Sequence, residues 1–241
     1  MDIEQQIASA YDGYYVSDVL HQIKSGKEAS VWRCAAQSHV GVEWLAVKVY
    51  RPLKSRGFQN VAIYQQGRYI GDARLRRAYH NKSKAGRSAQ FGMWVTAEFE
   101  TMRKLYAAGA SVPKPYAQTA GAIIMEYIGE QDIPAPTLNR VRLTSEKAKI
   151  LFDFIMKEIE LWLSNGRIHA DLSPFNILYW NGICKVIDFP QSVDPEVNAS
   201  AFSLFERDIN NIVTYFSKYG IQASSVDLAC EMWSRNASRP W

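Results

Sequence analysis

Cysteine is scarce in this chain: 241 residues hold only Cys34, Cys184 and Cys230. Three widely spaced thiols make neither a disulfide framework nor a close-spaced thiolate metal site, and a reducing cytosol is the expected compartment. Cys184 reads as a small core residue. No apolar run is long enough to cross a bilayer, so no membrane partner is expected. The stretch from Met1 to Ala10 carries Asp2 and Glu4 and lacks the basic and apolar regions of a signal peptide. Internal repeats and low-complexity segments are absent. Acid is nearly absent from one stretch. Between Arg51 and Phe91, ten Lys and Arg stand against Asp72 alone, a local charge of +9 within a net charge of +4. The rest of the chain, with 18 basic and 23 acidic residues, carries −5.

What is present centres on the stretch from Ile168 to Asp188. Two apolar runs, Ile177-Leu-Tyr-Trp180 and Ile183-Cys-Lys-Val-Ile187, flank Asn181-Gly182. Asn-Gly is a strong short-range hairpin signal, because both turn residues accept positive φ. Folding about that turn pairs Asn176 roughly with Ile187 and gathers Asp171, Asn176 and Asp188 at the open end. Two carboxylates and an amide there suggest a divalent metal and a phosphate. A regular register would put Asn176 and Asp188 on opposite faces. The strand ends must therefore bend, and the expected places are Ser173-Pro174 and Phe189-Pro190.

Before the hairpin, the text predicts a short helix and turn over 1–15, then strands from Val16 to Ala36 with a turn at Ser25-Gly26-Lys27. A further strand runs from Glu43 to Tyr50. Lys48 sits in it among apolar neighbours and needs a negative partner to offset its desolvation. Residues 52–90 show little regular period. A helix is expected from Trp94 to Ala108, with Phe99, Met102, Leu105 and Tyr106 on one side and Glu98 a turn earlier. An extended connector, Val112 to Pro115, and a buried strand, Ala122 to Tyr127, follow. Residues 128–136, with Gly129, Pro134 and Pro136, read as a hinge. Helices are then expected from Thr144 or Ser145 to Ser164 (apolar at Leu151, Phe154, Ile155, Ile159 and Trp162), from Ser200 to Tyr219, and over 224–235. Strands first and helices later give an α+β chain of two lobes: 14–127 with the basic insertion 52–90, then the hinge, then 137–241.

The motif His169-Ala-Asp171-x-x-x-x-Asn176, followed by Ile187-Asp188-Phe189, resembles the catalytic loop and metal motif of protein kinases. A closer likeness is to the RIO family of atypical kinases. Ser25-Gly-Lys-Glu-Ala-Ser-Val31, Asp132-Ile-Pro-Ala-Pro136, His169-Ala-Asp-Leu-Ser173, Ile187-Asp-Phe-Pro-Gln-Ser-Val-Asp194 and Arg207-Asp-Ile-Asn210 all read like that family's text, in order, from about Val16 to Tyr219. The basic insertion, and Trp94 leading into Glu98, resemble the type-1 branch.

This resemblance implies a two-lobed kinase-like fold without an activation segment, ATP and Mg²⁺ as cofactors, and serine/threonine kinase or ATPase activity. Asp171 would accept the proton of the attacking hydroxyl. Lys48, paired with Glu98, would contact the phosphates, and Asn176 and Asp188 would hold the metal. Ser25, Gly26, Lys27 and Ser30 would cover the phosphates, and Glu126, Tyr127 and Ile128 would meet the adenine. Asp188 would take a phosphoryl group, with autophosphorylation elsewhere. His169 reads as structural, and Asp208 either braces the catalytic loop or solvates its helix. Two departures from ordinary kinases stand out: Gly26 is the only glycine of its turn, and Pro190 replaces the last glycine of Asp-Phe-Gly. The protein substrate is not legible. The basic segment is either a solvated loop, with Ser83 and Ser88 as phosphorylation sites, or a surface for RNA, a ribosomal particle or another polyanion, with Tyr64, Tyr69 and Tyr79 to stack on bases. Two rival functions remain: an aminoglycoside-kinase-like phosphotransferase, and a non-catalytic ATP-binding scaffold.

Overall fold

The computed structural model describes residues 13–51, 84–119 and 121–237, without the side chains of 84–91 and 237. The helix expected at the N-terminus, most of the basic insertion, its tyrosines and the side chains of Ser83 and Ser88 lie outside the described residues. The chain divides into two compact units. The first comprises described residues 13–51, 84–100 and 113–134; the second comprises 101–112 and 135–237.

The first unit is built on an antiparallel five-stranded sheet: β1 Val16–Ser25, β2 Ala29–Ala36, β3 Trp44–Tyr50, β4 Pro115–Gln118 and β5 Ala122–Glu126, in the order β1-β2-β3-β5-β4. Central β3 alternates as its text predicts. Leu45, Val47 and Val49 join Val16, Cys34, Ala122 and Ile124 in one core, each such side chain contributing about 1.5–3 kcal/mol of burial. The other face of β3 carries Ala46, Lys48 and Tyr50 and is buried as well. Lys48 is thereby withdrawn from water by the strand's central place. The expected connector before Pro115 leads into edge strand β4, where a proline at the first position forfeits no central ladder bond. A two-rung ladder, β6 Gly129–Glu130 with β7 Ile133–Pro134, closes the unit.

Helix α1 spans Lys84–Ala107 and starts ten residues before the expected Trp94, inside the stretch that shows no period in the sequence. Its buried stripe is Trp94, Val95, Glu98, Thr101, Met102 and Leu105, at helical spacing; Tyr106 falls outside it and is exposed. Gly109, at φ +83°, ends it, with Ala110 N donating to Leu105 O at 3.0 Å.

The second unit holds helices α2 Ser145–Ser164, α3 Ala201–Ser217 and α4 Ser225–Ala237, and the hairpin β8 Ile177–Trp180 with β9 Ile183–Val186. Thr144 caps α2 by accepting from Lys147 N at 3.3 Å. Phe152, rather than the expected Phe154, is the buried phenylalanine of α2, and its ring packs edge-on against Phe216 of α3. Residues 101–112, which the linear reading puts in the first lobe, group with this unit. Two bonds account for this: Ser111 N donates to Glu158 at 2.8 Å, and Val186 N donates to Ser111 O at 2.8 Å. No helix among the described residues is long and apolar enough to cross a membrane.

The hairpin turn has Asn181 at φ +49° and Gly182 at φ +85°. A Cβ on Gly182 would meet nothing within 4 Å. Gly182→Ala should therefore carry a purely conformational cost, about 1–2 kcal/mol, read as a lower urea midpoint with an unchanged m-value.

Candidate active site

In the second unit the ladder ends at Ile177 and Val186, and one further bond, Ile187 N to Asn176 O at 2.9 Å, sets the expected pairing. Both strand ends then bend. On one side Pro174–Asn176 form a 3₁₀ turn, at the expected place. On the other the bend falls on Asp188 itself, at φ +76°, one residue before the expected Phe189-Pro190. Left-handed backbone outside glycine costs about 1–2 kcal/mol, and aspartate tolerates it better than most residues.

Upstream, Ile168 pairs with Val193 through two bonds of 3.0 Å. The chain then leaves that bridge through Ala170, at φ +62°. From there to Leu172 its backbone groups have no strand to bond, and α3 serves them with side chains. Asp208 accepts from Ala170 N at 2.7 Å and from Leu172 N at 2.9 Å. Arg207 donates to Ala170 O, and Asn211 to Leu172 O at 2.9 Å. Leaving a buried amide or carbonyl unsatisfied costs about 1–3 kcal/mol, so the four bonds together outweigh the strain at Ala170. Of the two readings left open for Asp208, these bonds match the brace, and Arg207 and Asn211 are two partners the linear reading missed. Their i, i+1, i+4 spacing with Asp208, one polar edge on an apolar helix, was the available signal. His169 is structural as expected: its Nε2 lies 3.1 Å from Ile187 O and its ring packs against Phe189.

Asp171 emerges from this clasp with its carboxylate at the surface. The protein around it still thins its water shell, and this, followed by the negative charge of Asp188, raises its pKa; Arg207 opposes the rise. Gln191 approaches its Oδ2 at 3.5 Å. Asn176 donates Nδ2 to Asp171 O at 2.9 Å. That bond uses the amide nitrogen, so the amide oxygen is the atom of Asn176 that could hold a cation. An amide oxygen and two mutually repelling carboxylates suit a hard divalent ion. Among the described residues no group of three His, Cys, Asp or Glu could hold a metal. Mg²⁺, which accepts one or two protein ligands plus phosphate and water oxygens, fits that donor set. Asp208, deeply buried, has its carboxyl pushed up to about 7 by desolvation, against the pull of its two amide bonds and Arg207.

The first unit holds the other expected residues. Lys48 Nζ lies 2.8 and 3.1 Å from the two oxygens of Glu98, and Tyr50 adds its hydroxyl to the same carboxylate. Tyr50 was not anticipated; its i+2 relation to Lys48, on one face of β3, was the clue. In the turn between β1 and β2, Gly26 N donates to Ala29 O at 2.9 Å, and a Cβ there would lie 3.3 Å from that oxygen. The amide of Gly26 is therefore spent on closing the turn. Ser25 accepts from Arg51 at 2.7 Å, Lys27 is exposed, and Ser30 is buried and accepts from the Trp32 indole at 3.1 Å. Glu126 ends β5, followed by buried Tyr127 and half-buried Ile128.

Comparison with known proteins gives a consistent picture. The RIO domain family matches residues 30–229. The chain is 27% identical over 206 residues to the serine/threonine-protein kinase RIO1 of Caenorhabditis elegans, covering 85% of this chain and 38% of that protein. It is 29% identical over 206 residues to the RIO-type kinase Rio1 of Haloferax volcanii (86% and 66%), and 30% identical over 218 residues to that of Methanocaldococcus jannaschii (90% and 69%). It therefore spans between about a third and two thirds of the length of most of these relatives. Among solved structures, the Rio2 kinase–ADP/Mg²⁺–phosphoaspartate complex of Chaetomium thermophilum superposes with a TM-score of 0.68 at 22% identity, covering 95% of this chain and 65% of that one. The order of motifs, the sheet followed by helices, and the clasped Asp171 loop thus have one common explanation: the chain belongs to the RIO family.

Proposed function

We propose that this chain is an ATP- and Mg²⁺-dependent serine/threonine kinase or ATPase of the RIO type. The observation that carries the reading is the clasped loop that presents Asp171 beside Asp188 and Asn176. Phosphoryl transfer needs positioning and charge neutralisation more than covalent chemistry from the protein. Bound Mg²⁺ would supply neutralisation of phosphate charge. Asn176 and Asp188 would hold it through oxygen, and Lys48, kept in place by Glu98, would contact the phosphates. The turn from Ser25 to Ser30 covers them, and the main chain from Glu126 to Ile128 meets the base. Asp171 orients the attacking hydroxyl and takes its proton. When Asp188 is itself the acceptor, one of its carboxylate oxygens forms the new P–O bond as the bond to the β-phosphate bridging oxygen breaks, and ADP leaves. The named Rio2 complex, which holds a phosphoaspartate, supports that branch. An RNA, ribosomal or other polyanionic partner for the basic segment belongs to the same proposal and rests on charge alone.

ATP turnover should fall by at least about two orders of magnitude in Asp171→Asn, and a base-labile phosphate should appear on wild type and be missing from Asp188→Asn. Undiminished turnover in the first variant would remove Asp171 from its role. Transfer to a small alcohol without self-labelling would favour the small-molecule phosphotransferase instead.

Asp208 generates a second test. Its folded pKa of about 7 lies above the ordinary 3.8, so folding takes up a proton between these values. The stability it contributes is complete below about pH 4 and declines as pH rises through 7. Asp208→Asn turns an amide donor toward a backbone donor and should destabilise the fold by about 1–3 kcal/mol. The gap between wild type and variant, measured by urea denaturation without nucleotide, should narrow from pH 5 to pH 8.

A further inference from the structure

Arg33 is a charged residue that no role assigned above uses. It lies mid-strand in β2, in register with His21 of β1 and Ala46 of β3, and is only 3% exposed. Its guanidinium carbon stands 3.8 Å from the centre of the Trp44 ring and 5.6 Å from that of Tyr127. Its Nη1 bonds Asp132, which sits between β6 and β7 and is 83% exposed. Nδ1 of His21 is 4.0 Å from the same carboxylate. Nε of Arg33 is buried without a hydrogen-bond partner among the described residues.

An arginine buried this deeply is costly to desolvate, and one exposed carboxylate with two ring faces recovers only part of that cost. A methionine of similar length would fill the same space without the penalty. Stability is therefore a poor account of why the charge is here. Its contacts are more informative. Tyr127 lies in the segment that meets the base in the proposed function, and its hydroxyl donates to Gln131 O at 3.1 Å. Burial raises the phenol pKa, which keeps that proton in place. Asp132 follows directly. Arg33 thus contacts the chain on both sides of Ile128: at Tyr127 through a cation–π contact, and at Asp132 by an ion pair.

We propose that Arg33 is a positioning residue for nucleotide binding, a latch that ties Tyr127 and Asp132 to β2 and so fixes the main chain of Glu126–Ile128 against the purine base. The inference rests on the proposed ATP site and adds to it a residue that touches no substrate atom.

The test compares wild type, Arg33→Met, Asp132→Asn and the double variant. Arg33→Met should hold or raise the melting temperature, raise KM for ATP about three- to tenfold and leave kcat within about twofold. Asp132→Asn, a change at an exposed position, should raise KM in the same way. The double variant should be no worse than the poorer single one, since both break one latch. Hydrogen exchange without nucleotide should quicken at the amides of 127–134 in all three. An unchanged KM, a kcat loss in place of a KM rise, multiplied effects in the double variant, or unchanged exchange at 127–134 would each overturn the latch. If wild type neither binds nor turns over ATP, the proposed function fails first; the exchange measurement still decides whether Arg33 holds the segment.

Discussion

The second unit depends on a backbone that has left regular structure. Between Ala170 and Leu172 the chain has neither ladder nor helix, yet Ala170 and Leu172 are fully buried and their amides and carbonyls must be bonded. Arg207, Asp208 and Asn211 serve four of those groups from a single helix edge. Asp171 owes its place to this clasp rather than to its own contacts. The clasp also explains why a carboxylate interrupts the apolar stripe of α3. An apolar residue at 208 would pack better and leave two buried amides without acceptors, a loss of about 1–3 kcal/mol for each.

The first unit repeats one device with two outcomes. Lys48 and Arg33 are buried cations on neighbouring strands, and each takes its acid from a remote part of the sequence. The partner of Lys48 is fully buried, that of Arg33 mostly exposed. Burying an ion pair seldom adds much net stability, whereas leaving a buried charge without its partner is costly. Such pairs therefore specify an arrangement more than they strengthen it. Here one fixes Glu98 on α1 against β3, and the other fixes a loop against β2.

What could be read from the sequence was local. The Asn181-Gly182 turn, the alternation in β3, the Thr144 cap and the Gly109 stop all depend on residues within a turn of one another. The need of Lys48 for an acid was also legible, because a charge in an apolar strand has few alternatives. The start of α1 was not: residues 84–90 show little apolar period, and glycine at 86 and 92 further weakens the helical signal. Edge strand β4 is short and begins at the proline that ends the expected connector, and the linear reading gave its remaining residues no element. The clasp by Arg207 and Asn211, the bond of Tyr50 to Glu98 and the grouping of 101–112 with the second unit all join residues far apart in sequence. No local period announces them, although a polar edge on an apolar helix and an i+2 pair on one strand were hints.

Ala170 and Asp188, both left-handed, flank the segment that carries Asp171 and Asn176. A backbone at such φ admits glycine, asparagine and aspartate readily, alanine with some strain, and β-branched residues hardly at all. Substitution at these two positions is thus filtered by conformation before it is filtered by reactivity. Isoleucine or valine at 188 would distort the peptide that follows even where no phosphate is ever bound. Part of the constraint on these two positions therefore belongs to the bends, and it would act on this fold even without catalysis.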